Sequence, residues 1–293
     1  MNLVVGATGF LGGAICQGLI AKGKPVRALV RETSDPTSVG NLRNAGVEFA
    51  YGDLTDQSSL AAACQGVTTV LSTATTVRSR QAHDSLETTD RDGQVGLVDA
   101  ARDAGVRHFV YISYSQNLAT DSPLTTAKRT VERHLQASGI NYTILRPSYF
   151  MEAWLSPALG FDIQQSKAQI FGAGQNKISW ISLGDVARCA VEAVDNPEAH
   201  NQGVELGGPE ALSPLDVVRL CEQLSGQSFE VQHVPEEALR SQHAAATDSL
   251  QKTFSALMLD YAQGDPVDIG LMLALFPGQP TSVREYVGRT LAS

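Results

Sequence analysis

Clustered positive charge is missing from this chain. Its 22 Lys and Arg are scattered among 31 Asp and Glu, for a net charge of −9. Binding a phosphate backbone needs grouped cations, so nucleic acid is not an expected partner. Long apolar runs are missing too. The longest, Val267 to Phe276, is broken by Asp268 and Gly270 and falls far short of the ~20 residues that span a membrane. Met1 leads straight into a strand pattern, without a charged segment, apolar stretch and cleavage site, so no export signal is read and a cytoplasmic location is expected. Cysteine is scarce: Cys16, Cys64, Cys189 and Cys221 lie far apart, with no CxxC pair. They read as buried free thiols in a reducing compartment. HExxH, GxSxG and GxxxxGK[ST] are absent and the six histidines are dispersed. No metal site, nucleophile elbow or P-loop is expected.

What is present is an alternation. Short β-branched runs at Leu3–Val5, Val26–Val30, Val47–Tyr51, Thr69–Ser72, Phe109–Ser113 and Tyr142–Leu145 take turns with helical patterns at Phe10–Lys22, Ser59–Cys64, Asp90–Ala104 and Thr125–Ser138. Continuous apolar strands separated by helices predict a parallel sheet covered on both faces. Several helices close on a glycine, at Gly23, Gly66, Gly105 and Gly139, where a left-handed backbone is commonly needed. After Pro147 the rhythm breaks at Tyr149-Phe-Met-Glu-Ala-Trp154 and Gly172-Ala-Gly174. It resumes with a helix at Leu183–Val194 and a strand at Val204–Leu206. The expected architecture is α/β, a Rossmann-type doubly wound parallel sheet with a smaller, mostly helical C-terminal substrate-binding cap. Residues 1–152 with about 178–208 would form the dinucleotide-binding domain, and about 153–177 with 209–293 the cap.

The segment Val4-Val-Gly6-Ala7-Thr8-Gly9-Phe10-Leu11-Gly12 spaces glycines three apart where the first strand turns into the first helix. Backbone without side chains can approach a pyrophosphate there, at the positive end of the helix. A merely tight turn is the bland alternative. At the end of the second strand, in Val26-Arg-Ala-Leu-Val-Arg31, a guanidinium stands where a ribose-binding acid would otherwise be expected. Such a group pairs with a 2′-phosphate and points to NADP(H) rather than NAD(H). Glu32 taking the ribose hydroxyls, or Arg31 as a solvated surface residue, are the alternatives. Asp53, in Gly52-Asp53-Leu54 after the third strand, is placed either to accept from the adenine amino group or to cap a helix.

Taken together, GATGFLG, VRALVR, GDL, GVRHFVYIS and YTILRP resemble the NmrA-like, or atypical, branch of the short-chain dehydrogenase/reductase superfamily. The resemblance runs through most of the first 208 residues and is weak beyond them. That branch includes isoflavone reductase-like enzymes, triphenylmethane and quinone reductases, and non-catalytic regulators. The resemblance implies a cofactor set of Gly6 to Gly12, Arg31, Asp53, Leu54, Thr73, Ala74, Lys128 and Pro147. It also implies Ser113 and Lys128 as catalytic positions. The tyrosine that the superfamily places four residues before the lysine is here Leu124, which cannot donate a proton.

Lys128 acting on the substrate directly, or a phenol from Tyr114 or Tyr149, would restore the chemistry. The alternatives are that Lys128 only bonds the nicotinamide ribose and that the tyrosines only pack. Phe150, Met151 and Trp154 would offer an apolar wall or be plain core. The leading expectation is an NADPH-dependent reductase of a flat apolar or aromatic acceptor such as a quinone, enone or dye. The competing one is a non-catalytic NADP(H)-binding sensor or assembly factor with a protein partner.

Overall fold

The computed structural model describes residues 1–77, 81 and 83–292. In chain order the first half contains β1 (Asn2–Val5), α1 (Phe10–Ala21), β2 (Val26–Val30), α2 (Pro36–Asn44), β3 (Glu48–Tyr51), α3 (Gln57–Cys64) and β4 (Thr69–Ser72). A π-helical turn over Leu86–Gly93 then runs into α4 (Gln94–Asp103), followed by β5 (His108–Ile112), α5 (Pro123–Ala137) and β6 (Asn141–Pro147). The second half contains α6 (Met151–Trp154), β7 (Phe161–Asp162), β8 (Lys167–Phe171), α7 (Leu183–Ala193), β9 (Gln202–Leu206), α8 (Pro214–Ser225), β10 (Glu230–Val234), α9 (Glu236–Ala245), α10 (Ser249–Gln263), α11 (Gly270–Leu275) and α12 (Val283–Ala292).

Seven strands form one sheet in the order β3-β2-β1-β4-β5-β6-β9. Asn2 of β1 sits opposite Val26 on one side and Thr69 on the other, both in parallel register. The order therefore reverses direction between β1 and β4, the switch point that defines a Rossmann-type sheet. β1, β4 and β5 are buried along their whole length, as expected of central parallel strands covered on both faces. Leu3, Val5, Leu60, Val70, Leu97, Phe109, Val131 and Ile144 belong to one buried cluster. The four glycines expected to end helices, Gly23, Gly66, Gly105 and Gly139, all have positive φ.

Three features were not legible in advance. α2 forms between the second and third strands, and its N-terminal donor at Ser38 is capped by Asp35. The helix expected from Asp90 is a π-helical turn up to Gly93 and an α-helix only from Gln94. A second, three-stranded sheet, β10-β8-β7, accompanies the C-terminal helices. Within 209–293 the helices α8–α12 predominate, with β10 the one strand among the described residues. No helix among the described residues is long and apolar enough to cross a membrane. All four cysteines are free and buried.

The chain divides into two compact units. The first is Met1–Ser113, Thr126–Leu145 and Val186–Val204; the second is Tyr114–Thr125, Arg146–Asp185 and Glu205–Ser293.

Candidate active site

The first unit builds the glycine turn from the end of β1. Gly6 has φ +87, and a Cβ there would lie 2.6 Å from Thr73 Oγ1 and 2.8 Å from the Ala74 nitrogen. Glycine is thus required twice over, by backbone conformation and by contact with the segment after β4. Gly12 meets a harder limit: its Cβ would stand 2.2 Å from the Gly6 carbonyl oxygen and 2.9 Å from Ala7 Cα. Its absence lets α1 pack directly on the turn. Gly9 differs from both, since its Cβ would meet only Gly6 O, at 3.3 Å, and Gly9 and Phe10 are exposed. The first turn of α1 carries neither an acidic residue nor a side-chain cap, so no carboxylate of its own competes with an anion for the positive end of the helix. Gly6, Ala7, Thr8, Gly9, Phe10, Leu11, Gly12, Thr73 and Ala74 are therefore brought together at the ends of two adjacent strands. Glycine at positions 6, 9 and 12 leaves backbone open to an approaching diphosphate there.

Arg31 lies just past β2, with Asp53 past β3. The guanidinium is not free: Nη1 bonds Asp84 Oδ2 at 2.6 Å and lies 3.7 Å from Asp53 Oδ2. Asp84 also accepts from the Gln81 backbone at 2.7 Å and from the Thr89 hydroxyl at 3.2 Å. Burial works against its ionisation, but these donors and Arg31 outweigh it and hold the carboxyl below the usual range. Asp53 accepts from the Thr55 amide and hydroxyl at 2.8 and 2.7 Å. It is not the cap of α3, a role that falls to Asp56. Glu32 is exposed. Leu54 is buried, with its backbone against Gly93.

Lys128, on α5, is 6% exposed. Its Nζ donates to the Ile112 carbonyl at 2.9 Å and sits 4.9 Å from the centre of the Tyr111 ring. Burial pulls its pKa below the ordinary lysine value, opposed by Asp90 and Glu132 and assisted by Arg129. Asp90 is 1% exposed. One of its oxygens accepts from the Thr76 amide at 2.9 Å and hydroxyl at 2.6 Å, while Oδ1 makes no hydrogen bond. The Ser113 hydroxyl, next to Ile112 in the chain, is likewise buried without a partner. Gln94 ties the same region together, accepting from Ser72 at 2.8 Å and donating to the Ala74 carbonyl at 3.1 Å. Sequence reasoning missed Thr76, Asp84, Asp90 and Gln94. The stretch Asp84-Ser-Leu-Glu-Thr-Thr-Asp-Arg-Asp-Gly93 carries no motif, and only its density of hydroxyls and acids before a helix marked it.

The remaining expected residues belong to the second unit. The Tyr114 hydroxyl donates to Thr125 Oγ1 at 2.7 Å, and that of Tyr149 to the Leu257 carbonyl at 2.9 Å. Burial, with Asp260 and Asp265 adding to it, pushes the Tyr149 phenol well above its ordinary value. Its ring packs edge-on against Trp154, Trp180 and Tyr261, so the aromatic stretch after Pro147 contributes core. Met151 is fully buried. Pro147 is also buried, and its carbonyl accepts from the Ser115 amide at 3.0 Å. Leu124, one helical turn before Lys128, is 6% exposed.

This arrangement, a parallel sheet with a glycine turn after its first strand and a buried lysine on α5, is that of an atypical dehydrogenase/reductase fold. The chain belongs to the NmrA-like family, whose profile matches residues 2–287. The match continues well past residue 208, where the resemblance in sequence had weakened. The photosystem II assembly factor Ycf39 of Trieres chinensis is 33% identical over 240 residues, covering 80% of this chain and 72% of that protein. The NAD(P)H azoreductase of Xenophilus azovorans is 33% identical over 229 residues, covering 78% and 74%. The NADPH-dependent quinone oxidoreductase QOR2 from Escherichia coli, solved with NADPH, superposes with a TM-score of 0.81. It covers 99% of both chains at 23% identity.

Proposed function

We propose that this protein binds NADP(H) on the Gly6–Gly12 turn, with Arg31 toward the adenosine ribose, and reduces a flat apolar or aromatic acceptor. The observation that carries this reading is the buried Lys128, which makes its hydrogen bond to the Ile112 carbonyl and keeps further N–H donors, together with the unpartnered buried hydroxyl of Ser113, the next residue after Ile112. Buried polar groups with unused capacity are costly unless a ligand engages them. Bound there, NADPH supplies a hydride, and the proton that balances it comes from a protein group or, for an electron-poor acceptor, from water. Lys128 is the group assigned to the nicotinamide ribose and, through its lowered pKa, to proton delivery. Ser113 orients the acceptor. Relatives named for quinone and azo compounds support that acceptor class.

A second reading, a non-catalytic NADP(H)-binding assembly factor, is favoured by Leu124 in the tyrosine position and by the Ycf39 relative. The deciding experiment combines calorimetry with NADPH and a turnover screen against quinones, enones and azo dyes. Oxidation of NADPH with any of them supports the enzyme. Tight binding without turnover on the whole panel supports the second reading instead.

A further inference from the structure

The end of β2 holds an arrangement that glycine spacing and family pattern do not account for. Arg31 Nη1 is held at 2.6 Å by Asp84 and approached to 3.7 Å by Asp53. The two partners are unequally buried and anchored. The Asp84 side chain is 4% exposed and that of Arg31 28%, and Asp84 is anchored independently by the Gln81 amide and the Thr89 hydroxyl. If the pair opens, the long arginine stem moves and the carboxylate stays.

We propose that Asp84 sets how strongly this protein discriminates NADP(H) from NAD(H), by competing with the 2′-phosphate for the Arg31 guanidinium. This rests on the cofactor reading given above and specifies which side chain tunes it. One cation between two carboxylates leaves a net negative charge, with the exposed Glu32 adjacent in sequence adding to it. A phosphate monoester brings about −1.5 to −2 at neutral pH. Arg31 can meet it only by loosening its bond to Asp84 or by carrying both anions on one fork. Either way the contact yields less than an uncommitted arginine would give, and the preference over NAD(H) is compressed. Asp84 and Arg31 are 53 residues apart in sequence.

The test is Asp84→Asn. An asparagine keeps an oxygen for the Gln81 amide, turns its NH2 toward Thr89 Oγ1 and removes the negative charge from Arg31. The affinities of NADPH, NADH, 2′,5′-ADP and 5′-AMP are measured by calorimetry for the parent, Asp84→Asn and Arg31→Ala, with thermal melts to establish folding. Asp84→Asn is expected to tighten NADPH and 2′,5′-ADP by about tenfold, the value of one charge-assisted contact, while NADH and 5′-AMP move less than about twofold. Asp53→Asn, at a more exposed carboxylate, is expected to raise the NADPH-to-NADH ratio in the same direction by less. This second variant also covers the case in which Asp84→Asn does not fold. Weaker NADPH binding in Asp84→Asn, parallel to Arg31→Ala, would show that Asp84 positions the arginine instead and overturn the competition. An unchanged ratio in both Asp→Asn variants would overturn it too. Failure of the parent to bind either dinucleotide is a different result: it removes the cofactor reading, and this inference with it.

Discussion

Gly12 and Gly9 carry the same residue type for different reasons, and two substitutions separate them. In Gly12→Ala the added Cβ would stand 2.2 Å from Gly6 O, 2.7 Å from Gly6 C and 2.9 Å from Ala7 Cα. All three are backbone atoms, so no side chain can swing aside. Carbon contacts are comfortable at roughly 3.5–4.0 Å, so α1 must move away from the turn by more than an ångström. Overpacking of this kind costs about 1–3 kcal/mol and sometimes more, while alanine returns up to about 1 kcal/mol of helix propensity. With all three contacts to backbone the cost belongs at the upper end of that range, so the net loss is about 2 kcal/mol, and at about 2–4 °C per kcal/mol for a chain somewhat shorter than this one the melting temperature is expected to fall by roughly 4–8 °C. Gly9→Val tests the opposite case. Its Cβ meets one atom at 3.3 Å, at φ −80, so the fold loses only the N-cap preference of glycine, about 1 kcal/mol. NADPH binding, however, is expected to be abolished, because the side chain would occupy the open side of the turn. Thermal unfolding by circular dichroism without ligand, paired with calorimetry, reads both. A Gly12→Ala protein as stable as the parent would refute the packing argument. Undiminished affinity in folded Gly9→Val would place the cofactor elsewhere.

His108 is 3% exposed, and burial, with His200 beside it, lowers its pKa from 6.5 to about 4. The contribution of His108 to stability is therefore expected to be full well above pH 6.5 and to fall by about 3 kcal/mol as pH drops toward 4, because the unfolded chain takes the proton first. Urea titrations of the parent and His108→Gln check this, and identical pH slopes would show that His108 is not responsible. Lys128→Met is expected to lower turnover with an electron-poor acceptor by about 10²–10⁴ while changing the cofactor dissociation constant much less; the reverse pattern would assign Lys128 to ribose binding alone. Leu124→Tyr is expected to add measurable reduction of simple ketones, and a folded, cofactor-binding variant without that gain would show that the missing phenol does not limit the chemistry.

The parallel sheet was legible because buried strands declare themselves as aliphatic runs, as in Val26–Val30 and Thr69–Ser72, and because glycines at helix ends punctuate them. α2 was not, since Pro36-Thr-Ser-Val-Gly-Asn-Leu-Arg-Asn44 is mostly polar, without an apolar stripe, and buries only Leu42. β10 was hidden for a similar reason: Glu230-Val-Gln-His-Val234 is exposed or half-buried along its length, and its pairing with β8 is stated nowhere in local pattern. At the candidate site the same division holds. The glycine turn is a matter of spacing within seven residues, which sequence displays directly. The Arg31–Asp84 pair joins positions 53 apart, and the Asp90–Thr76 clamp depends on a π-helical turn that helical periodicity does not signal. Family motifs located Lys128; only the structure shows the surroundings that lower its pKa.

Those surroundings bear on which acceptor suits the proposed chemistry. A carbonyl that gains a hydride builds negative charge on one oxygen and needs a well-placed acid, the role a tyrosine at position 124 would serve. Here that position is a buried leucine. The hydroxyls of Tyr114 and Tyr149 already donate to Thr125 and Leu257, and the Tyr149 phenol is pushed further from any useful acidity. Burial lowers the pKa of Lys128, yet its Nζ donates to the Ile112 carbonyl from a buried position. On the proposed reading, a site with a lysine so committed, and with leucine at position 124, is poorly suited to stabilise a localised alkoxide. It is better matched to acceptors that spread the incoming charge over a conjugated system, where the demand on a protein acid is small and apolar contact supplies most of the binding. The substitution of Leu for Tyr thus argues against simple carbonyls and for quinone-, enone- or azo-like compounds, and the Lys128→Met and Leu124→Tyr measurements bear on that one argument from opposite sides.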